Sequence, residues 1–133
     1  MTSIFLDTNA YSHFIHGDQS VQVAINTAKI VYISSIVLGE LYAGFINGSK
    51  FEINNLILKK LLNKKKIRVF DINSKTSFIY AELFVKLSKI GKPIPTNDIW
   101  IAASAIETNS TLVTYDKHFL NIPNLKLWSK ISK

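Results

Sequence analysis

The chain has 133 residues, 47% of them hydrophobic, a formal net charge of +7 and no cysteine. That length fits a single domain over residues 1–133 with a real core and leaves no room for two. The absence of cysteine excludes disulfides and thiolate metal sites, and no apolar run is long enough to span a membrane.

In chain order, Ile4-Phe5-Leu6 reads as a buried parallel strand, ended abruptly by Asp7-Thr8-Asn9. Open α/β folds bind ligands at such strand ends, although the same three residues also suit a plain turn and helix cap. A helix is expected over Ala10 to His16, stopping at Gly17, and a second through Val21, Ala24, Ile25 and Ala28. Ile30 to Ile33 follows as a second strand, with Ser34-Ser35 placed to cap the next helix, from about Ile36 to Asn47. That helix is apolar apart from Glu40, which must reach solvent, find a partner or bind a metal, because a bare buried charge is very costly. Gly39 and Gly44 would let another backbone come close to it.

Phe51 to Leu62 is the next helix, with Ile53, Leu56, Ile57 and Leu61 as its inward stripe. It runs into Lys64-Lys65-Lys66, either a rim that tracks phosphates or a solvated helix end. Ile67 to Phe70 is a third strand, and Ser74 to Ile90 a long helix turning Phe78, Ala81, Val85 and Phe84 or Leu87 inward before Gly91. Pro93 and Pro95 stiffen the connection to a helix over Ile99 to Glu107, with Thr96-Asn97 as its cap and Asp98 in its first turn. Thr111-Leu112-Val113 is a short strand, followed within a few residues by Asp116, and Leu125 to Trp128 alternates like an edge strand.

Asp7, Glu40, Asp98 and Asp116 are four of nine acids, and each lies in or at the end of an apolar element. A right-handed strand-helix-strand succession brings the two strand ends to one edge of the sheet, where the helices bearing Glu40 and Asp98 also open. Four carboxylates that close repel one another unless a cation neutralises them, and an all-oxygen donor set points to Mg²⁺ or Mn²⁺. Such a centre in a basic chain suits cleavage of a nucleic acid, with lysines holding the flanking phosphates. Candidates for that role are Lys64, Lys65, Lys66, Lys92 and Lys117, although lysine richness beside many Ile and Asn is also what an AT-rich genome produces.

Four segments carry a resemblance across nearly the whole chain: Leu6-Asp7-Thr8-Asn9; Ser35 with Gly39-Glu40-Leu41-Tyr42-Ala43-Gly44; Pro95-Thr96-Asn97-Asp98 running on to Ala105; and Leu112-Val113-Thr114-Tyr115-Asp116-Lys117-His118-Phe119. In this order they resemble the PIN domain family and, within it, the VapC-type toxin ribonucleases of toxin-antitoxin pairs. The resemblance implies an α/β fold with a central parallel sheet of about four to five strands and helices on both faces. It implies a Mg²⁺ or Mn²⁺ site of Asp7, Glu40, Asp98 and Asp116, oriented by Asn9 and Thr114, and hydrolysis of RNA by metal-activated water. A homodimer and a cognate antitoxin are implied too, the antitoxin being expected on the helices from Ile36 to Leu62. The cytoplasm is the expected location, since Met1-Thr2-Ser3 carries no leader features. His13, His16 and His118 are not expected to be essential, His118 being read as a structural neighbour of Phe119. The alternatives are a catalytically silent PIN domain that binds RNA or a partner, and a receiver-like phosphoacceptor. The latter normally has paired acids on its first strand, where this chain has only Asp7.

Overall fold

The structure is a computed structural model that describes residues 3–128 and 130. Five strands form one parallel sheet: β1 (Ser3–Leu6), β2 (Ile30–Ser34), β3 (Ile67–Phe70), β4 (Thr111–Val113) and β5 (Lys126–Leu127), in the order β3-β2-β1-β4-β5. Among the described residues six α-helices flank it: α1 (Thr8–Ile15), α2 (Gln19–Thr27), α3 (Ser35–Asn47), α4 (Phe51–Leu62), α5 (Ser74–Lys89) and α6 (Thr96–Glu107). Ile4, Phe5 and Leu6 of the central strand are at most 1% exposed, as an unbroken apolar run on a doubly covered strand requires. From β1 the chain winds outward to β2 and β3, then crosses back to lay β4 on the other side of β1. The order therefore reverses between β1 and β4, and a crevice opens beyond their carboxyl ends.

Short polar residues start the helices by accepting backbone N–H bonds: Asp7 from Thr8, Asp18 from Val21, Ser34 from Ile36, and Asn73 from Lys75 and Thr76. Gly17 and Gly91 follow α1 and α5 at φ +89° and +69°, a region that costs any other residue steric strain. The anticipated cap at Thr96-Asn97 does not form, because α6 begins at Thr96 and Asn97 spends its side chain elsewhere.

Two helices turn a different face inward from the one their periodicity suggests. In α4 the buried residues are Leu58 and Leu61, while Ile53 and Leu56 are 60% and 56% exposed. In α5 they are Thr76, Leu83 and Leu87, and Phe78, Ala81, Phe84 and Val85 face outward. The rotation of α5 is set by α6: Tyr80 stacks on Trp100 at 3.9 Å, and the Thr76 hydroxyl donates to Glu107 at 2.5 Å, which makes a polar residue acceptable inside. Gly39 and Gly44 face open space within 4 Å, so no neighbouring backbone uses the room they leave. Among the described residues, no helix is long and apolar enough to cross a membrane.

Lys66 fits neither reading of the lysine run. Its ammonium donates to the carbonyls of Ile25, Asn26 and Ala28, and so closes the C-terminus of α2, a helix distant in sequence. Lys66→Met is expected to cost about 1–2 kcal/mol, read as a lower urea midpoint at unchanged slope, by exposing those carbonyls without a donor.

Candidate active site

Asp7 leaves β1 at the crevice and is 5% exposed, with a donor on each oxygen. The backbone N–H of Thr8 donates to Oδ1 and the Thr114 hydroxyl to Oδ2, both at 2.7 Å. Asp7 is thus helix cap and site residue at once. Burial raises its pKa above the usual carboxylate range; the Thr114 and Thr8 bonds oppose that, and the charges of Glu40 and Asp116 add to it.

Thr114, fully buried just past β4, ties the site to the sheet. Its oxygen accepts from the Asp116 backbone N–H at 3.0 Å, while Asn9 Oδ1 lies 3.2 Å away and also accepts from the Tyr115 N–H at 3.3 Å. Tyr115 donates its hydroxyl to Asp18 at 2.8 Å, which fastens the same loop to the start of α2. Glu40 reaches across from α3 and accepts from the Thr8 hydroxyl at 2.5 Å and from the Asn97 amide. One carboxylate so joins the beginnings of α1 and α6.

Asp98 differs from these. Its carboxylate accepts no hydrogen bond among the described residues, and its side chain is only 13% exposed. Burial, followed by the charges of Asp7, Asp116 and Glu40, pushes its pKa up to about 6, against a smaller opposing effect of His118. Asp116 caps a short 3₁₀ helix (Lys117–Asn121) by accepting from the His118 backbone N–H at 2.9 Å.

The four acids line one open cleft together with Thr8, Asn9, Ser12 and His13. Among the described residues no lysine or arginine lies within ion-pair distance of any of them. An acidic cleft holding one unbonded carboxylate of raised pKa fits a hard divalent cation, and Asp98, Asp116 and His118 bring ligand atoms within 4.8 Å of one another while Asp7 and Glu40 line the cleft beside them. The residues fit Mg²⁺ or Mn²⁺ on that ground.

Three contributors were not foreseen. Asn97 and Thr8 position Glu40; the adjacency of Asn97 to Asp98 was the available signal, read instead as a cap. His118 does not pack beside Phe119: successive residues of a 3₁₀ turn point about 120° apart, so Phe119 is fully buried while His118 turns toward Asp98 and Asp116. Lys117 begins the 3₁₀ helix at the cleft edge. Lys92 lies on the connection between α5 and α6 and does not line the cleft. Lys64, Lys65 and Lys66 are not brought to the cleft, since they precede β3 and stand at the opposite edge of the parallel sheet.

Comparison with known proteins agrees with this fold. The sequence model of the PIN domain matches residues 4–125. The chain is 42% identical over 132 residues to "Ribonuclease VapC2" of Rickettsia felis, covering 94% of this chain and 97% of that protein. It is 30% identical over 101 residues to "Ribonuclease VapC1" of Haemophilus influenzae, covering 74% of each. Its fold superposes at TM-score 0.83 and 35% identity on a chain of the crystal structure of VapBC2 from Rickettsia felis bound to a promoter DNA fragment, covering 96% of this chain and 98% of that one. A chain of VapBC-1 from nontypeable Haemophilus influenzae shares the fold at TM-score 0.85 and 24% identity, over 99% and 100% of the two chains. The chain belongs to the PIN domain family, among its VapC-type members.

Proposed function

We infer that this protein is a Mg²⁺- or Mn²⁺-dependent endoribonuclease, the toxin of a toxin-antitoxin pair, acting in the cytoplasm. The observation that carries the reading is the uncompensated acidic cleft at the point where the strand order reverses, in a chain of net charge +7. The names of its relatives, ribonucleases VapC2 and VapC1, support the substrate class. Asp7, Glu40, Asp98 and Asp116 would hold the cation. The chemistry a bound divalent ion would supply there is neutralisation of charge at the scissile phosphate and a lowered pKa for the attacking water. Thr114 and Asn9 keep Asp7 and the loop after β4 in register, while Thr8 and Asn97 do the same for Glu40. Lys92 and Lys117 would take the flanking phosphates of the RNA backbone.

The test is cleavage of total RNA by purified protein with Mg²⁺ or Mn²⁺ and then with chelator. Discrete products that vanish on chelation support the reading. RNA retained without products would instead favour a silent binding domain.

The antitoxin would dock on a groove between α1, α3 and α4, walled by Tyr11, Ile15, Leu41, Phe45 and Ile57. This groove, continuous with the outward apolar face of α4, supports the expectation that the helices from Ile36 to Leu62 meet the partner. The related structures are themselves VapBC complexes, which agrees with such a partner. Ile57, 39% exposed on the groove wall, is the position to test. Ile57→Asp is expected to weaken antitoxin binding at least about tenfold in a titration, with the unfolding midpoint of the free protein unchanged. A homodimer would use a second uncovered apolar face, on α5, where Phe78 is 68% exposed.

A further inference from the structure

We propose that His118 is a nitrogen ligand of the same cation, which makes the site a mixed nitrogen-oxygen centre selective for Mn²⁺ over Mg²⁺. The proposal rests on the metal-site reading above and adds a residue and a selectivity to it.

The geometry begins with the 3₁₀ turn. Asp116 Oδ1 accepts from the His118 backbone N–H at 2.9 Å, and the same oxygen lies 3.2 Å from His118 Nδ1. On the other side of the ring nitrogen, Asp98 Oδ2 lies at 3.7 Å. One donor atom from each of Asp98, Asp116 and His118 falls within 4.8 Å of the other two. Ligands about 2.1 Å from one ion stand about 3.0 Å apart across an octahedral edge and about 3.4 Å across a tetrahedral one. The spacing to Asp116 falls between these values, and the spacing to Asp98 exceeds the longer one by about 0.3 Å, a gap that a small turn of the imidazole closes. With a side chain 57% exposed, His118 also has room to adjust its ring without disturbing the core.

The donor set has a chemical consequence. Mg²⁺ is bound almost wholly by oxygen and keeps several waters, whereas imidazole suits the transition metals, whose affinity for mixed sites rises from Mn²⁺ onward. Four carboxylates alone discriminate weakly between Mg²⁺ and Mn²⁺, and one neutral imidazole tips the choice. It does so without adding charge, so overall attraction for a divalent ion is kept.

The test uses chelator-stripped full-length protein, with Mn²⁺ alone and Mg²⁺ alone as probes. Calorimetric titration is run on the unmutated chain, His118→Ala, His118→Gln and Asp98→Asn, and pulsed electron paramagnetic resonance is recorded on the Mn²⁺ samples. A directly coordinated ¹⁴N coupling is expected in the unmutated protein and in neither His118 variant. Mn²⁺ affinity is expected to fall about tenfold or more in both His118 variants, and Mg²⁺ affinity less than twofold. An absent nitrogen coupling in the unmutated chain, or an equal loss for both metals, overturns the assignment. If Mn²⁺ binding depends on Asp98 but not on His118, the acidic centre stands and the His118 ligand falls. If neither ion binds the unmutated chain, both fall together.

Discussion

Asp98→Asn is expected to lower metal-dependent RNA cleavage by about a thousandfold, the several kcal/mol that a metal centre contributes to a phosphodiester transition state. Measured beside it, the metal-free variant is expected to be the more stable protein at neutral pH, on the order of 2 kcal/mol by urea unfolding. The sign comes from the raised pKa of about 6. A carboxyl that holds its proton more tightly folded than unfolded stabilises the fold below about pH 4, and that contribution is lost as pH rises through about 6. The unmutated metal-free chain should therefore weaken between those values, and the Asn variant, which cannot ionise there, should weaken less. Saturating divalent cation should restore the unmutated chain and leave Asp98→Asn largely unaffected. Equal stability of the two metal-free proteins at both pH values would contradict the electrostatic account of the cleft.

Thr114→Val carries the second large effect. Valine fills nearly the same volume, yet it removes the donor to the buried Asp7 carboxylate and the acceptor for the Asp116 N–H. A bond to a buried charge is worth about 1.5–3 kcal/mol, so a loss of about 2–3 kcal/mol is expected in urea. Asp7 also loses the strongest influence holding its pKa down, so it should titrate higher and metal binding should require a higher pH. Thr114→Ser, which keeps the hydroxyl, should recover most of both. A valine variant with native stability and an unchanged pH midpoint for Mn²⁺ binding would show that the hydroxyl has no such role.

What could be read from the sequence follows from how locally each property is determined. Strands β1, β2, β3 and β4 are apolar runs closed by short polar residues, and the information lies within a few neighbours, so their bounds agree with the structure to within a residue or two. The acids were legible for the same reason, each standing in an apolar element or within a few residues of its end. Helix rotation was not. α4 and α5 carry more apolar residues than one face can bury, so Phe78 and Val85 offer as good a stripe as Leu83 and Leu87. The choice falls to tertiary partners such as Trp100 and Glu107. Lys66, Asn97 and His118 share that difficulty, since their partners are carbonyls of α2, Glu40 on α3 and the carboxylate of Asp98, all remote in the chain.

The position of β4 also bears on the protein's synthesis. Its neighbour in the sheet is β1, so the middle of the sheet stays unfinished until residues 111–113 have been made. Until then the chain has Asp7 but neither Thr114 nor Asp116 to complete the cleft. A chain that stops short of residue 111 therefore lacks both the strand and the loop that complete the cleft.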